Sequence, residues 1–375
     1  MCQVGEAAYM QSKVILMVDF DYFFAQCEEI RNPALKDKPV VVCVYSGRTE
    51  ESGAVSTANY IARKYGVKSG MPIFLAKRKL LHADAIFLPV DRVLYEEVSS
   101  NIMSILKNYA DPFEQVGIDE AYLDVTERVH GSFEEARRLA QEMKDKVKSQ
   151  EKITFSVGIG PNKLVAKIAV DFQKPNGLYV VKTEQIQSFL APLPIDRLLG
   201  VGKKTNERMT SLGIKTIGDL ARYDAQKLTE IFGEKLGDYF HNAALGMDDS
   251  PVKERGEVES VSRISTLKED TRDLAVIMNK VKVLCEGIYT NLIQKELKFK
   301  TVSVMAVMKD MSIRSRSKTF ESPIFHLEML ETSTEDLFQK LLSETSIEIR
   351  RAGVKVSGFS KKPEQQKHLT DFQGH

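Results

Sequence analysis

Val14-Ile-Leu-Met-Val18 is a run of five apolar residues that ends at Asp19-Phe20-Asp21 and continues as Tyr22-Phe23-Phe24. An unbroken apolar run of this length reads as a strand buried on both faces, with Asp19 standing where it leaves the core. A lone aspartate there is ordinarily a turn residue or a helix N-cap. A second acidic pair, Asp119-Glu120, changes that reading. The stretch Phe113 to Val125 reads as two short strands around it, so the pair sits at the tip of an apolar hairpin. Carboxylates side by side at strand ends repel one another and resist ionising unless a cation lies among them. Magnesium, a hard ion with a preference for carboxylate and phosphate oxygens, is the natural occupant. Three carboxylates from two strands can hold two such ions about 4 Å apart, the arrangement for in-line attack at phosphorus.

Ligands for phosphate flank these acids. Tyr60 and Arg63 lie three apart on a helix predicted from Ala58 to Tyr65 and face one side of it. Lys163, Lys167 and Lys174 follow a strand predicted over Ile153 to Ile159, and Lys174-Pro-Asn-Gly177 reads as a turn that holds Lys174 at a loop tip. Taken singly, each is an ordinary solvated cation.

The rest of the chain reads as two further blocks. Strands and helices alternate through the first half without a repeated βαβ unit, which favours an α+β layer over a doubly wound sheet. Val40 to Tyr45 reads as a strand, Leu94 to Tyr109 as a helix, Ser132 to Lys148 as a helix with Ser132 as N-cap and Glu135 at the capping-box position, and Asn162 to Asp171 as a helix. Thr183 to Leu245 has the pattern of short helices with Gly turns, and Asp248 to Glu259 that of a linker. Beyond it, strands at Val261–Ile264, Thr301–Met308, Ile313–Phe320 and Val354–Phe359, with helices near 274–292 and 334–342, make a second α+β domain.

The 375 residues suffice for two to four domains. With 43% hydrophobic and 28% charged residues the chain can bury real cores, which argues against disorder over most of its length. No apolar run approaches the roughly 18 residues needed to span a bilayer, and Met1 to Ser12 lacks a secretory pattern. Cys2, Cys27, Cys43 and Cys285 form no CxxC pair, so packed thiols in a reducing cytoplasm are expected rather than a disulfide framework or a zinc site. Lys+Arg 53 against Asp+Glu 52 leaves a net charge of +1, so any grip on a polyanion must come from segregated charge. Six histidines make a His-centred mechanism a poor prospect and direct attention to the carboxylates.

Val18-Asp-Phe-Asp-Tyr-Phe-Phe24, Ser52-Gly-Ala-Val-Ser-Thr-Ala-Asn-Tyr-Ile-Ala-Arg63, Ser69-Gly-Met-Pro72, Gly117-Ile-Asp-Glu-Ala-Tyr-Leu-Asp124, Ser156-Val-Gly-Ile-Gly-Pro-Asn-Lys163 and Lys174-Pro-Asn-Gly177 together resemble the Y-family (translesion) DNA polymerases, most closely the DNA polymerase IV group in its archaeal form. The ordered match runs from about Lys13 to Phe359. The resemblance implies an α+β multidomain, right-hand fold. Its parts would be a palm (1–22 and 89–181), small fingers (23–88), a helical thumb (182–246), a linker (247–260), an additional α+β little finger (261–360) and a flexible tail (361–375). It implies that Asp19, Asp119 and Glu120, with the backbone carbonyl of Phe20, bind two catalytic Mg2+ ions, Glu120 being the residue usually given as the active-site acid. Tyr60, Arg63 and Lys174 match the groups that hold the triphosphate, and Thr57 and Phe23 match nearby pocket positions. Phe24 matches the steric gate that excludes a 2′-hydroxyl. Many relatives carry Tyr there, and Phe keeps the bulk without the hydroxyl.

Primer-template DNA and deoxynucleoside triphosphates are the partners so implied. Leu199 to Gly213 reads as a helix-hairpin-helix element, in which the Gly200-Val201-Gly202 turn and Lys203 approach a phosphate at a helix N-terminus. Lys295 to Lys318 holds seven basic residues against two acidic ones, and Arg314, Arg316 and Lys318 alternate along one strand so that all three share a face, at a spacing of about 6–7 Å. Such a stripe binds phosphates without reading sequence. Gln366, Leu369 and Phe372 are spaced like the peptide that docks into a sliding clamp, although Gln373 stands where a second aromatic is usual. A monomer in the cytoplasm is expected.

Two rival functions fit part of this pattern. A two-metal nuclease would use the same carboxylates but needs no aromatic gate and no triphosphate clamp. A non-catalytic DNA-binding protein needs none of the three acids. No length is left for a proofreading exonuclease, which with small fingers implies error-prone synthesis and tolerance of damaged templates.

Overall fold

The computed structural model describes residues 12–110, 112–254, 256 and 258–361. Cys2 and the Gln366–Phe372 motif lie outside them. The described chain divides into two compact units. One takes the residues up to Cys43, Val55–Met71 and Ala76 to Glu254; the other takes Val44–Ala54, Pro72–Leu75 and those from Gly256 onward.

The first unit begins with β1 (Ile15–Phe20) and α1 (Phe23–Arg31). Tyr22, between them, takes the left-handed region at φ 36°, an uncommon conformation for a side chain of this size, and so turns the chain sharply after Asp21. β2 (Val40–Tyr45), β3 (Gly53–Ala58) and β4 (Ile86–Pro89) form a sheet in the order β3-β2-β4, with α2 (Tyr60–Lys64) and α3 (Ile73–Lys79) between β3 and β4 in the chain. The helix predicted from Ala58 therefore starts later. Ala58 ends a strand, and Asn59 caps α2 by accepting from the Ala62 amide at 2.9 Å. β3, α3 and β4 escaped the sequence reading because they are short and alternate weakly.

Then follow α4 (Arg92–Lys107), β5 (Phe113–Gln115), β6 (Glu120–Asp124), α5 (Phe133–Glu151), β7 (Phe155–Gly160), α6 (Lys163–Ala169) and β8 (Leu178–Val180). The five strands run in the order β5-β6-β1-β7-β8, which places β1 at the centre as its apolar run requires. Leu16, Val18 and Phe20 on one face pack with Tyr95, Ile102 and Leu106 of α4 and with Ala140 and Met143 of α5. Ile15 and Met17 on the other face meet Ala166 and Val170. α6 can lie this close because position 158 has no side chain: a Cβ there would come within 2.2 Å of the Ala166 carbonyl oxygen. Ser132 caps α5, accepting from the Glu135 amide at 3.3 Å, but its own amide goes to the Val129 carbonyl, so the capping box is half-formed.

Five short helices follow: α7 (Ile186–Leu190), α8 (Lys203–Ser211), α9 (Ile217–Arg222), α10 (Ala225–Phe232) and α11 (Glu234–Ala244). They pack around Leu190, Leu198, Met209, Leu220 and Phe240. The segment after them has no helix or strand among its described residues, yet it is anchored. Val252 is buried beside Met17 and Tyr122, Asp248 accepts from the Leu164 amide at 3.0 Å, and the Lys253 amide donates to Glu114 at 3.2 Å.

In the second unit β9 (Ser260–Thr271), α12 (Leu274–Gln294), β10 (Leu297–Met308), β11 (Ile313–Ile324), α13 (Leu327–Ser343), β12 (Ile349–Ser357) and β13 (Ser360–Lys361) form an antiparallel sheet ordered β11-β10-β12-β9, with β13 pairing with β10. Val302, Val304, Ala306, Val354 and Val356 pack with Ile277, Val281, Ile288 and Phe338 of the two helices. Among the described residues, Cys27, Cys43 and Cys285 are buried thiols, and no helix is long and apolar enough to cross a membrane.

Candidate active site

Register places the acids. Asp19, at the polar end of β1, pairs with Glu120 of β6 on one side and Ser156 of β7 on the other. The amide of Phe20 donates to the Asp119 carbonyl at 2.9 Å, which ties the acidic tip of the β5–β6 hairpin to the same strand end. The carboxyl of Asp119 is pushed above the usual carboxylate range by burial and then by the charge of Asp19. Burial also raises Glu120, against the opposing ammonium of Lys167. A cluster in this state calls for positive charge, and two lysines supply it. Lys167, on the helix brought close by Gly158, bonds Glu120 and reaches Asp19 at 3.4 Å; Lys174 Nζ lies 2.7 Å from Asp19 Oδ1. Burial alone would lower Lys174, but Asp19 and Asp171 outweigh it and its pKa rises. Among the described residues no three acidic, His or Cys side chains already converge as a metal cage. The fit to magnesium rests instead on the donor chemistry, hard carboxylate oxygens in a site that already draws cations.

Asp19, Phe20, Phe23, Phe24, Thr57, Tyr60, Arg63, Asp119 and Lys174 line one cleft of about 230 Å3, together with Asp21, Tyr22, Ser56 and Ser69. Arg63 lies over the Tyr60 ring at 4.8 Å and its Nε donates to the Ala58 carbonyl at 2.8 Å, so the two predicted clamp residues share a side of α2. Burial, then the charge of Asp21, raises the Tyr60 phenol, which therefore stays a donor at neutral pH. Phe23 is only 2% exposed and packs on Phe20, whereas Phe24 is half-buried at the cleft. Lys163 is elsewhere: it pairs with Glu114 at 2.7 Å and covers the Tyr122 ring.

The other sites fall as follows. Gly202 is the N-cap of α8 with no side-chain cap bond, leaving that helix end open, and Gly200 takes φ +83°. Arg314, Arg316 and Lys318 do share a face, but it is the face of Val302, Val304 and Ala306, opposite which they pair. There Arg316 bonds Glu344, Arg314 reaches the Glu344 carbonyl at 3.4 Å and Lys318 lies 3.8 Å from Asp336, so the stripe is not free of acidic partners. The other face of this sheet carries Ser303, Ser317, Thr301 and Thr319, bonded in cross-strand pairs, and exposed Lys355. Serines and threonines spaced by two along β10 and β11 were the available signal for that face. Asp21 and Tyr95 were also missed, because each is buried and their roles depend on partners distant in sequence.

Comparison with known proteins decides the family. Residues 18–171 match the impB/mucB/samB family, 258–369 its C-terminal domain, and 196–248 a domain described as the DNA polymerase-iota thumb. The chain belongs to the Y family of DNA polymerases. It is 45% identical to DNA polymerase IV of Nitrosopumilus maritimus, over 97% of this chain and 100% of that one, and 42% identical to DNA polymerase IV 1 of Methanosarcina mazei, over 97% and 100%. Among solved structures it is similar to a Y-family polymerase chimera of Dbh and Dpo4 (TM-score 0.88, 40% identity, 93% of this chain and 100% of that one). It is also similar to an insertion ternary complex of Dbh DNA polymerase (TM-score 0.67, 40% identity, 93% and 100%). The polymerase therefore has the palm, fingers, thumb and little-finger architecture, and it is a template-directed translesion DNA polymerase, not a nuclease or a non-catalytic DNA-binding protein. Its family is metal-dependent.

Proposed function

We propose that this polymerase performs nucleotidyl transfer at the cleft lined by Asp19, Asp119 and Lys174, with two Mg2+ ions held by Asp19, Asp119, Glu120 and the Phe20 carbonyl. The observation that carries the reading is the gathering, in one cleft, of residues from four separate stretches of sequence. Magnesium held by these residues would lower the pKa of the primer 3′-hydroxyl and offset the charge of the triphosphate. The chain's own groups do the rest. Lys174 and Arg63 meet the phosphates, Arg63 through its planar fork and Lys174 as a point charge. Tyr60 donates its hydroxyl to a phosphate oxygen, Thr57 lies beside it, and Phe24 lies under the sugar. Lys167 holds Glu120 in place.

The thumb turn of Gly200, Gly202 and Lys203 grips the backbone of the primer-template, and Arg314, Arg316 and Lys318 add phosphate contacts. We propose the domain limits given above for this division of labour. We further assign a monomeric, cytoplasmic enzyme whose Gln366, Leu369 and Phe372 dock on a sliding clamp; a peptide of residues 362–375 that binds no clamp by calorimetry removes that assignment. The site itself is tested by Asp119→Ala. Primer extension should vanish while duplex binding stays within about threefold. Retention of more than a few per cent of activity overturns the metal set.

A further inference from the structure

Lys144, on α5, is 6% exposed and is outside the cleft. Buried lysines are rare because an ammonium must regain in the interior the hydrogen bonds it had in water. This one regains all three from backbone: Nζ donates to the carbonyls of Phe155 at 3.1 Å, Asn176 at 2.7 Å and Gly177 at 2.8 Å. Two of those carbonyls belong to the turn that carries Lys174. From the other side Asp21, 1% exposed, accepts the Asn176 amide at 2.7 Å and is itself held by Ser156 at 2.8 Å and Thr154 at 3.2 Å. The Ser156 hydroxyl also accepts the Gly177 amide at 3.2 Å.

The turn is thus gripped at the amide and the carbonyl of one residue, Asn176, by opposite charges. Asn176 sits at φ 53°, a left-handed turn conformation that asparagine tolerates better than most side chains. A surface turn that only had to reverse the chain could be satisfied by water, without the desolvation of a lysine and an aspartate.

We propose that Lys144 is a positioning residue for nucleotide binding, which fixes the Lys174–Gly177 turn so that the Lys174 ammonium meets the triphosphate. The proposal rests on the reading of Lys174 as a triphosphate ligand. Lys144 never touches the nucleotide. It acts through two backbone carbonyls, so its loss releases the loop and costs order at Lys174 instead of removing a ligand. Burial pushes the Lys144 ammonium down to about 8, with Asp21 and Asp145 opposing and Lys148 assisting. All three of its N–H donors are taken by those carbonyls.

The test is a double-mutant cycle in full-length protein, with Lys144→Met and Lys174→Ala read by steady-state insertion of one deoxynucleotide. Lys144→Met should raise the KM for the triphosphate about tenfold with kcat reduced less than about threefold and primer-template affinity unchanged. In the Lys174→Ala background the same change should add less than about twofold. Amide exchange at Asn176 and Gly177 should quicken in Lys144→Met while the β1 amides stay protected. If Lys144→Met folds poorly, Lys144→Gln, which keeps two donors, should give a smaller rise in KM. A wild-type KM in the soluble Lys144 variant, or effects that simply multiply in the double variant, overturn the proposal. An unchanged KM in Lys174→Ala alone removes the triphosphate reading, and this inference with it. A raised KM there beside a wild-type KM at Lys144 removes the inference only.

Discussion

The ring of Phe24 lies stacked on that of Tyr95, centroids 4.3 Å apart and planes within 12° of parallel. Tyr95 is fully buried, and its hydroxyl donates to Glu28 Oε1 at 2.6 Å. Glu28, 1% exposed, also bonds Arg31, which reaches Asp91 at 2.9 Å. The aromatic proposed to lie under the sugar therefore has a wall behind it, and the wall is fixed by a buried carboxylate. A gate that excludes a hydroxyl by repulsion works only if it cannot retreat.

Shrinking the proposed gate should open the proposed sugar pocket without touching the acids. Phe24→Ala is expected to raise ribonucleotide insertion by about three decades, some 4 kcal/mol of discrimination, with deoxynucleotide insertion falling far less. Phe24→Tyr keeps the bulk and should be nearly silent. Single-nucleotide insertion kinetics with matched ribo- and deoxynucleotides measure both. Undiminished rejection by Phe24→Ala would make Phe24 a core aromatic and direct the same test to Phe23.

Loosening the wall should have a weaker effect of the same sign. Aromatic stacking is worth about 0.5–1.5 kcal/mol beyond burial, so Tyr95→Leu should relax sugar discrimination by about three- to tenfold. Glu28→Gln should destabilise the protein, because it leaves Arg31 and the Tyr95 hydroxyl poorly matched, by about 1–3 kcal/mol in thermal or denaturant unfolding. Discrimination in Tyr95→Leu equal to that of the parent would show that Phe24 holds its place unaided.

How much of this was legible in the sequence depends on the distance over which the physics acts. Val14–Val18 could be read as a fully buried strand because five apolar residues in succession have few other uses, and Asp119-Glu120 stood out as polar in an apolar hairpin. β3 and β4 could not be read, since Gly53–Ala58 is rich in small residues and Ile86–Pro89 is four residues long. Asp21 reads as a turn aspartate until β7 and the 174–177 turn close on it, and Lys144 reads as one more surface lysine on α5. For Arg314, Arg316 and Lys318 the period of two fixed a common face, but only the pairing with β10 shows which face that is.

Protons should leave when metal binds. Asp119 and Glu120 both titrate above the usual carboxylate range in the free enzyme, burial being the main cause. A carboxyl with a raised folded pKa favours the protonated fold, so the stability it contributes is present at low pH and is lost as pH rises from the unfolded value through the folded one. Metal needs the ionised form, so apparent affinity for Mn2+ should weaken as pH falls into that window. Calorimetry of Mn2+ binding in two buffers of different ionisation enthalpy should show net proton release, diminished in Asp119→Asn. Equal enthalpies in the two buffers throughout that window would contradict the raised pKa values.

The basic stripe makes the last prediction, and its geometry sets the terms. Arg314, Arg316 and Lys318 lie along β11, an edge strand, and point to the side on which α13 packs. Glu344 and Asp336 hold them there, Glu344 at the C-cap of α13 and Asp336 within it. These are solvent-facing pairs, worth at most about 1 kcal/mol each, so DNA phosphate can replace the carboxylates at little cost. Each phosphate neutralised adds nearly one unit to the slope of log affinity against log salt. Replacing all three cations with Gln should therefore flatten that slope by up to about three units, uniformly across DNA sequences. Glu344→Gln should do the opposite: Arg316 is released from its partner, and binding at low salt should tighten with a slope steeper by up to about one unit. Fluorescence anisotropy with a primer-template duplex at several salt concentrations reads both variants. A triple variant with the parental slope would mean that the three cations serve only to tie β11 to α13, and a drop in melting temperature without a change in slope would be its signature.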